Sequence, residues 1–142
     1  MVNRRVAFKL TPDADGWPPA VEETLWAEEI EDGVYSINNI PFYVRDVSPG
    51  DIIVATPDLK GVLRYELTLR WSKMSVIRVL GASVERFPDL LQALKSAGCS
   101  YEGISNGTLY AVSVPPEAGY DAVVAMLEAA GADYEEASRR HT

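Results

Sequence analysis

Polar and apolar positions alternate along much of the first half of the chain, whereas helical spacing occurs only in the second half. Leu63, Tyr65, Leu67, Leu69 and Trp71 alternate with Arg64, Glu66, Thr68 and Arg70, which predicts a strand with one half-buried and one wet face. Val6, Phe8 and Leu10 repeat the pattern. Between them, Leu25 to Ile30, Val34 to Ile37 and Asp51 to Thr56 read as further strands. They are separated by turn signals at Asp32-Gly33, Pro49-Gly50 and Pro57 to Gly61. Five short strands of this kind predict a small antiparallel β-sheet or SH3-like barrel over residues 1–71.

The second half carries an internal repeat. "LLQALKSAGCSYEGIS" at Leu90 to Ser105 aligns with "VVAMLEAAGADYEEAS" at Val123 to Ser138, with identity at 94/127, 97/130, 98/131, 101/134, 102/135 and 105/138. Leu90, Leu91, Leu94 and Ala97 fall on one helical face, as do Val123, Val124, Leu127 and Ala130. Each predicted helix stops at a glycine, Gly98 or Gly131, where a left-handed C-terminal cap is expected. Pro88 and Pro116 mark the entries to the two helices. Strand-like runs flank both helices: Ser75 to Leu80 and Ser100 to Ser105 around the first, Thr108 to Val114 and Ala132 to Ala137 around the second. Asn106-Gly107 joins the halves as a hairpin signal. Residues 72–142 are therefore expected to form a ferredoxin-like βαββαβ unit. The fold class expected is α+β, with the barrel-like unit packed on the ferredoxin-like one, because no flexible linker separates them.

Composition narrows the chemistry. Among 142 residues there is one cysteine, Cys99, and one histidine, His141, so neither an internal disulfide nor a Cys/His zinc site can form, and no metal or cofactor is expected. Cys99 follows a helix-capping glycine at the negative end of the helix dipole, which suits a packed thiol and disfavours a reactive thiolate. His141 is expected in a frayed tail, which argues against a Ser-His or Cys-His catalytic pair. The formal charge is −8. It argues against nucleic acid, as does the lack of an RNA-recognition motif around Tyr101, Tyr110 and Tyr134. Phosphate-cradling glycine loops are absent as well. No signal-peptide pattern and no run of about 20 apolar residues is present, so the expected compartment is the cytoplasm, away from membranes.

Trp17-Pro18-Pro19, Glu23 with Leu25-Trp26-Ala27, Asn39-Ile40-Pro41-Phe42, and Asp46 with Ser48, Gly50 and Asp51 together resemble a bacterial family, domain of unknown function 4265. The resemblance extends over nearly the full chain and implies no activity. Members commonly continue with a small polar stretch and then Ser or Thr before Arg. Here that implies Ser72, Ser75 and Arg78, with Lys73 and Met74 departing from the small residues usual there.

Two segments stand out as candidate sites. Glu22, Glu23, Glu28, Glu29, Glu31 and Asp32 lie within eleven residues with no basic side chain among them. Such a run reads either as a solvated strand face and turn or as an electronegative patch that steers a basic partner. The second segment, Asn38 to Tyr43, is a structural turn or a binding edge formed by Asn39, Phe42 and Tyr43 with Trp17 and Trp26. The function expected is non-catalytic recognition of a basic protein, as in a toxin-immunity protein, through Glu28, Glu29, Glu31, Asp32, Asn39, Phe42 and Tyr43. Trp17, Trp26, Ser72, Ser75 and Arg78 are candidate ligand contacts. The alternatives are a small-molecule-sensing homodimer and an enzyme that uses carboxylates alone.

Overall fold

A computed structural model of the chain describes residues 2–142, apart from the side chain of Ser105. The fold is α+β, mostly antiparallel sheet, and divides into two compact units between Ser72 and Lys73.

The first unit is a closed five-stranded barrel of β1 (Asn3–Lys9), β2 (Glu22–Glu31), β3 (Val34–Ile37), β4 (Ile52–Pro57) and β5 (Leu63–Arg70). Successive strands pair antiparallel, and β1 closes the barrel against β5 in parallel through Val6↔Leu63 and Ala7↔Arg64. Alternation turns Val6 and Phe8, Leu25 and Ala27, Tyr35 and Ile37, and Ile53 and Ala55 into one core, which Val47 completes from the β3–β4 loop. Phe8 stacks on Tyr65 with ring centroids 4.9 Å apart. Gly33, at φ +78°, makes the tight β2–β3 turn that a Cβ-bearing residue would adopt only under strain.

The half-buried face expected along β5 ends early. Leu63 and Tyr65 point inward, but a bulge between Val54 and Ala55 shifts the register, so that Thr68 takes the next inward position opposite Ile53. One extra residue in a strand reverses every side chain beyond it. Leu67 and Leu69 are consequently 47% and 56% exposed; a second register shift follows between Ile52 and Ile53, and Trp71, past the end of β5, is 54% exposed.

The second unit is a four-stranded antiparallel sheet ordered β7-β8-β6-β9, from β6 (Ser75–Leu80), β7 (Ser100–Ile104), β8 (Leu109–Val114) and β9 (Tyr134–Ser138). Helices α1 (Gly81–Arg86) and α2 (Leu90–Ser96) connect β6 to β7, and α3 (Tyr120–Ala129) connects β8 to β9. Leu90 and Leu94 of α2 and Tyr120, Val123 and Leu127 of α3 bury against Ile77, Val79, Val112 and Val114 of the sheet. Complete burial of one such leucine stabilises the fold by about 2 kcal/mol.

The repeated sequence produces repeated caps. The amide of Gly98 donates to Lys95 O at 3.0 Å and that of Cys99 to Leu94 O at 3.0 Å, while Gly131 donates to Glu128 O and Ala132 to Leu127 O at the same distances. Both glycines have positive φ, as such caps require. Asn106 and Gly107 also take positive φ, in a 3₁₀ turn that joins β7 to β8.

Three local expectations are corrected. Helix α1 has no counterpart in the predicted elements, because "GASVER" is too short to display a helical period. It is anchored by Ser83, whose Oγ accepts the Asp133 amide at 2.8 Å, and by Gly81, where an added Cβ would lie 1.8 Å from the Gly107 carbonyl oxygen. Pro116 opens a 3₁₀ turn ahead of α3 and not α3 itself. His141 is no frayed tail: its Nδ1 lies 3.0 Å from the Lys73 carbonyl oxygen, and its ring packs edge-on against Tyr120.

Candidate functional site

Two carboxylates build the β3–β4 loop from inside. Glu23 occupies the same inward phase of β2 as Leu25 and Ala27 and is buried. Its Oε2 accepts the Phe42 amide at 2.7 Å, and its Oε1 accepts the amides of Tyr43 at 3.0 Å and Val44 at 2.8 Å. Asp51, fully buried at the far end of the loop, accepts the amides of Ser48 at 3.0 Å and Ser72 at 2.8 Å. Ser72 Oγ in turn donates to the Pro49 carbonyl at 2.7 Å. Loops cannot bury backbone N–H groups without acceptors, and a carboxylate can satisfy two or three at once. Glu23 therefore does not belong to a solvated acidic face. Its signal in the sequence was phase: it stands on the apolar side of the β2 alternation.

The same loop gathers the aromatic residues singled out above. The Asn39 side-chain oxygen accepts the Trp26 amide, and Asn38 Nδ2 donates to Asn3 Oδ1 at 3.1 Å. Trp17 meets Tyr43 edge to face at 5.7 Å, and the Arg5 guanidinium lies 5.0 Å above the Trp26 ring. Trp17 and Trp26 remain 41% and 44% exposed, so with Trp71 every tryptophan of the chain presents much of its ring to solvent. Tryptophan is on average well buried in folded domains and enriched at interfaces.

The acidic run divides in three. Glu22 forms an ion pair with Arg64 at 2.6 Å, and Arg64 also bonds Asp58 at 2.8 Å. The Arg64 hydrogen bond holds the Asp58 carboxyl below its ordinary pKa. Glu23 holds the loop. Only Glu28, Glu29, Glu31 and Asp32 are left at the distal end of β2, where Glu29, Glu31 and Asp32 line a shallow depression with Val2 and Ile30 and, among the described residues, no basic side chain lines it. Burial first, and then the charges of Glu29 and Asp32, push the Tyr35 hydroxyl above its ordinary pKa against the opposing effect of Arg4. The structure thus places Glu28 to Asp32 at one end of the barrel and Asn39, Phe42 and Tyr43 in the Glu23-anchored loop.

Ser72, Ser75 and Arg78 are divided between the two units. Ser72 closes the loop of the first unit. Ser75 and Arg78 point to opposite faces of β6, and Arg78 is buried in an ion pair with Glu135 at 2.9 Å. Ser75 Oγ does lie 3.2 Å from His141 Nδ1, the pairing expected not to form. It has no catalytic geometry. The Lys73 carbonyl can only accept, so Nδ1 carries the proton and cannot draw one from Ser75, which is buried and receives the Arg140 amide at 2.8 Å. Cys99 is buried, and desolvation raises its thiol to about 11.

A family model, Domain of unknown function (DUF4265), matches residues 23–137. The chain belongs to this family. The match begins at Glu23 and includes Asp51, the two residues on which the β3–β4 loop is built. No curated protein matches the chain. Among solved structures, the chain is similar to one described as "Novel crystal structure of a hypothetical protein from Neisseria gonorrhoeae", at 21% identity and a TM-score of 0.79, over 100% of this chain and 99% of that one. At this identity the likeness concerns the fold. Among the described residues, no helix is long and apolar enough to cross a membrane, and no group of three or more His, Cys, Asp or Glu is placed to hold a metal ion.

Proposed function

We propose that this DUF4265 protein is a non-catalytic binding protein that recognises a basic protein partner through the barrel. The observation that carries the reading is the pairing, on one small unit, of three exposed tryptophans with a depression that Glu29, Glu31 and Asp32 line and that, among the described residues, no basic side chain lines. Glu28, Glu29, Glu31 and Asp32 supply the field that attracts the partner. Asn39, Phe42 and Tyr43, on a loop fixed by Glu23, supply contacts whose ordering cost is already met on folding. Cytoplasmic residence is part of this reading. Neutralisation of a basic toxin is its most specific form, and it rests on analogy with small acidic antidote proteins.

We read the first unit as an SH3-like barrel and the second as ferredoxin-like. The order β7-β8-β6-β9, with α2 and α3 buried against one face, supports the second assignment. The meander of five antiparallel strands closed by a β1–β5 contact supports the first.

The test is a pull-down from lysate of the source organism at low salt, with the retained material identified by native mass spectrometry. A stoichiometric basic protein that elutes as salt rises, and is not retained by the Glu28→Lys/Glu29→Lys/Glu31→Lys variant, is the expected result. Equal retention by both proteins would overturn the proposal.

A further inference from the structure

The bulge in β5 creates a surface that the proposed function does not itself require. Strand pairing sets Glu31 opposite Val34, Val34 opposite Val54, and Val54 opposite Leu67, so these four residues form one row across β2, β3, β4 and β5. The adjacent row runs Glu28, Ser36, Ile52, Arg70. Both rows lie outside the barrel, because Ala27, Tyr35, Ile37, Ile53 and Ala55 take the inward positions between them. The outer face therefore grades from acidic at β2 to apolar along Val54, Leu67 and Leu69, and on β5 it carries the exposed carboxylate of Glu66, which accepts from Thr56 Oγ1 at 2.7 Å, and the cation of Arg70.

Neighbouring strands lie about 4.8 Å apart, so the row from Glu31 to Leu67 is about 14 Å long. We propose that this face docks a short basic amphipathic segment of the partner protein, with its lysines or arginines on Glu28, Glu31 and Asp32 and its apolar side chains along Val34, Val54 and Leu67. The charge asymmetry selects this occupant and its direction: Glu28, Glu31 and Asp32 attract the basic end of the segment at β2, whereas at β5 the single carboxylate of Glu66 is offset by Arg70. A second copy of this chain would bring like charges together at a net charge of −8, and an anionic lipid surface would be repelled by the same carboxylates. The inference rests on the basic-partner reading above and adds an apolar requirement along Val34, Val54 and Leu67 that the reading does not contain.

Because the natural segment is unknown, the probes are a short labelled lysine–leucine amphipathic peptide and a lysine–serine peptide of the same charge, titrated against the full chain by fluorescence anisotropy. The amphipathic peptide is expected to bind about tenfold or more tightly, a difference that corresponds to burying one or two large apolar side chains. Leu67→Ser/Leu69→Ser should reduce its affinity to that of the lysine–serine peptide. Glu28→Lys/Glu31→Lys should weaken both peptides. Leu67, Leu69 and Glu31 are exposed and Glu28 is half-buried, and an unchanged melting curve will show that the variants fold. In amide chemical-shift maps, Val34, Val54 and Leu67 should move on addition of the amphipathic peptide. Equal binding of the two peptides with no effect of the leucine variant would overturn the apolar requirement and leave charge-based recognition standing. Failure of both peptides to bind, shifts confined to other surfaces, or loss of affinity in the leucine variant without any effect of charge reversal would each overturn the proposal.

Discussion

Replacing Glu23 tests how the candidate loop is held. In Glu23→Ala, the amides of Phe42, Tyr43 and Val44 lose the carboxylate that accepts all three, at 2.7, 3.0 and 2.8 Å. A hydrogen bond to a charged group contributes about 1.5–3 kcal/mol, but the three share one acceptor and the freed amides of a half-buried loop recover some water, so a loss of about 3 kcal/mol is expected. For a unit of this size that lowers the Tm by more than about 10 °C. Glu23→Gln keeps the shape and one acceptor oxygen, which can retain Tyr43 and Val44, but it turns an amide donor toward the Phe42 N–H. Its expected cost is about 1–2 kcal/mol. Urea unfolding followed by tryptophan fluorescence, with thermal melts by circular dichroism, measures both. The reasoning is refuted if Glu23→Ala unfolds within about 0.5 kcal/mol of the wild type, or if the two variants cost the same.

Other substitutions probe separate parts of the fold. Asp51→Ala strips the acceptor from the Ser48 and Ser72 amides at a fully buried position and should cost about 2–3 kcal/mol in urea unfolding. Gly81→Ala drives a Cβ into the Gly107 carbonyl and should destabilise by about 3 kcal/mol, read by the thermal melt, although the residue is a helix former. Ser75→Ala leaves the Arg140 amide without its acceptor and should speed hydrogen exchange at Arg140 while costing about 1 kcal/mol. The Cys99 thiol, raised to about 11 by burial, should be inert to a disulfide reagent at pH 8 in the folded protein and react at once in urea. Because its folded pKa lies above the unfolded value of about 8.5, the associated stabilisation is fully present below pH ~8.5 and is lost as pH rises towards 11.

The alternation and the repeat made most of the architecture legible. Val34 to Ile37 and Ser75 to Leu80 form the strands that their patterns predict, and Gly98 and Gly131 cap helices because the repeat places them one residue beyond the last buried turn. What escaped is non-local. The β5 bulge arises from pairing with β4, so a strand that alternates without interruption in sequence reverses its faces at Glu66 in space. His141 is held by a carbonyl 68 positions away, a contact that no local pattern encodes. The candidate site was legible in part: Glu29, Glu31 and Asp32 line one depression at the end of β2, whereas Glu22 and Glu23 are drawn off by Arg64 and by the loop amides. The phase of Glu23 on the apolar face of its strand was a usable signal. No sequence pattern distinguished Arg78 as a buried ion-pair partner from Arg78 as a ligand contact.

The most direct test of the basic-partner account is the dissociation constant of the captured partner for the wild type and for Glu28→Lys/Glu29→Lys/Glu31→Lys, measured side by side at several salt concentrations. The account predicts at least about a hundredfold weaker binding for the variant at low salt, and a gap that narrows as salt rises. Equal affinity of the two proteins at low salt would contradict it.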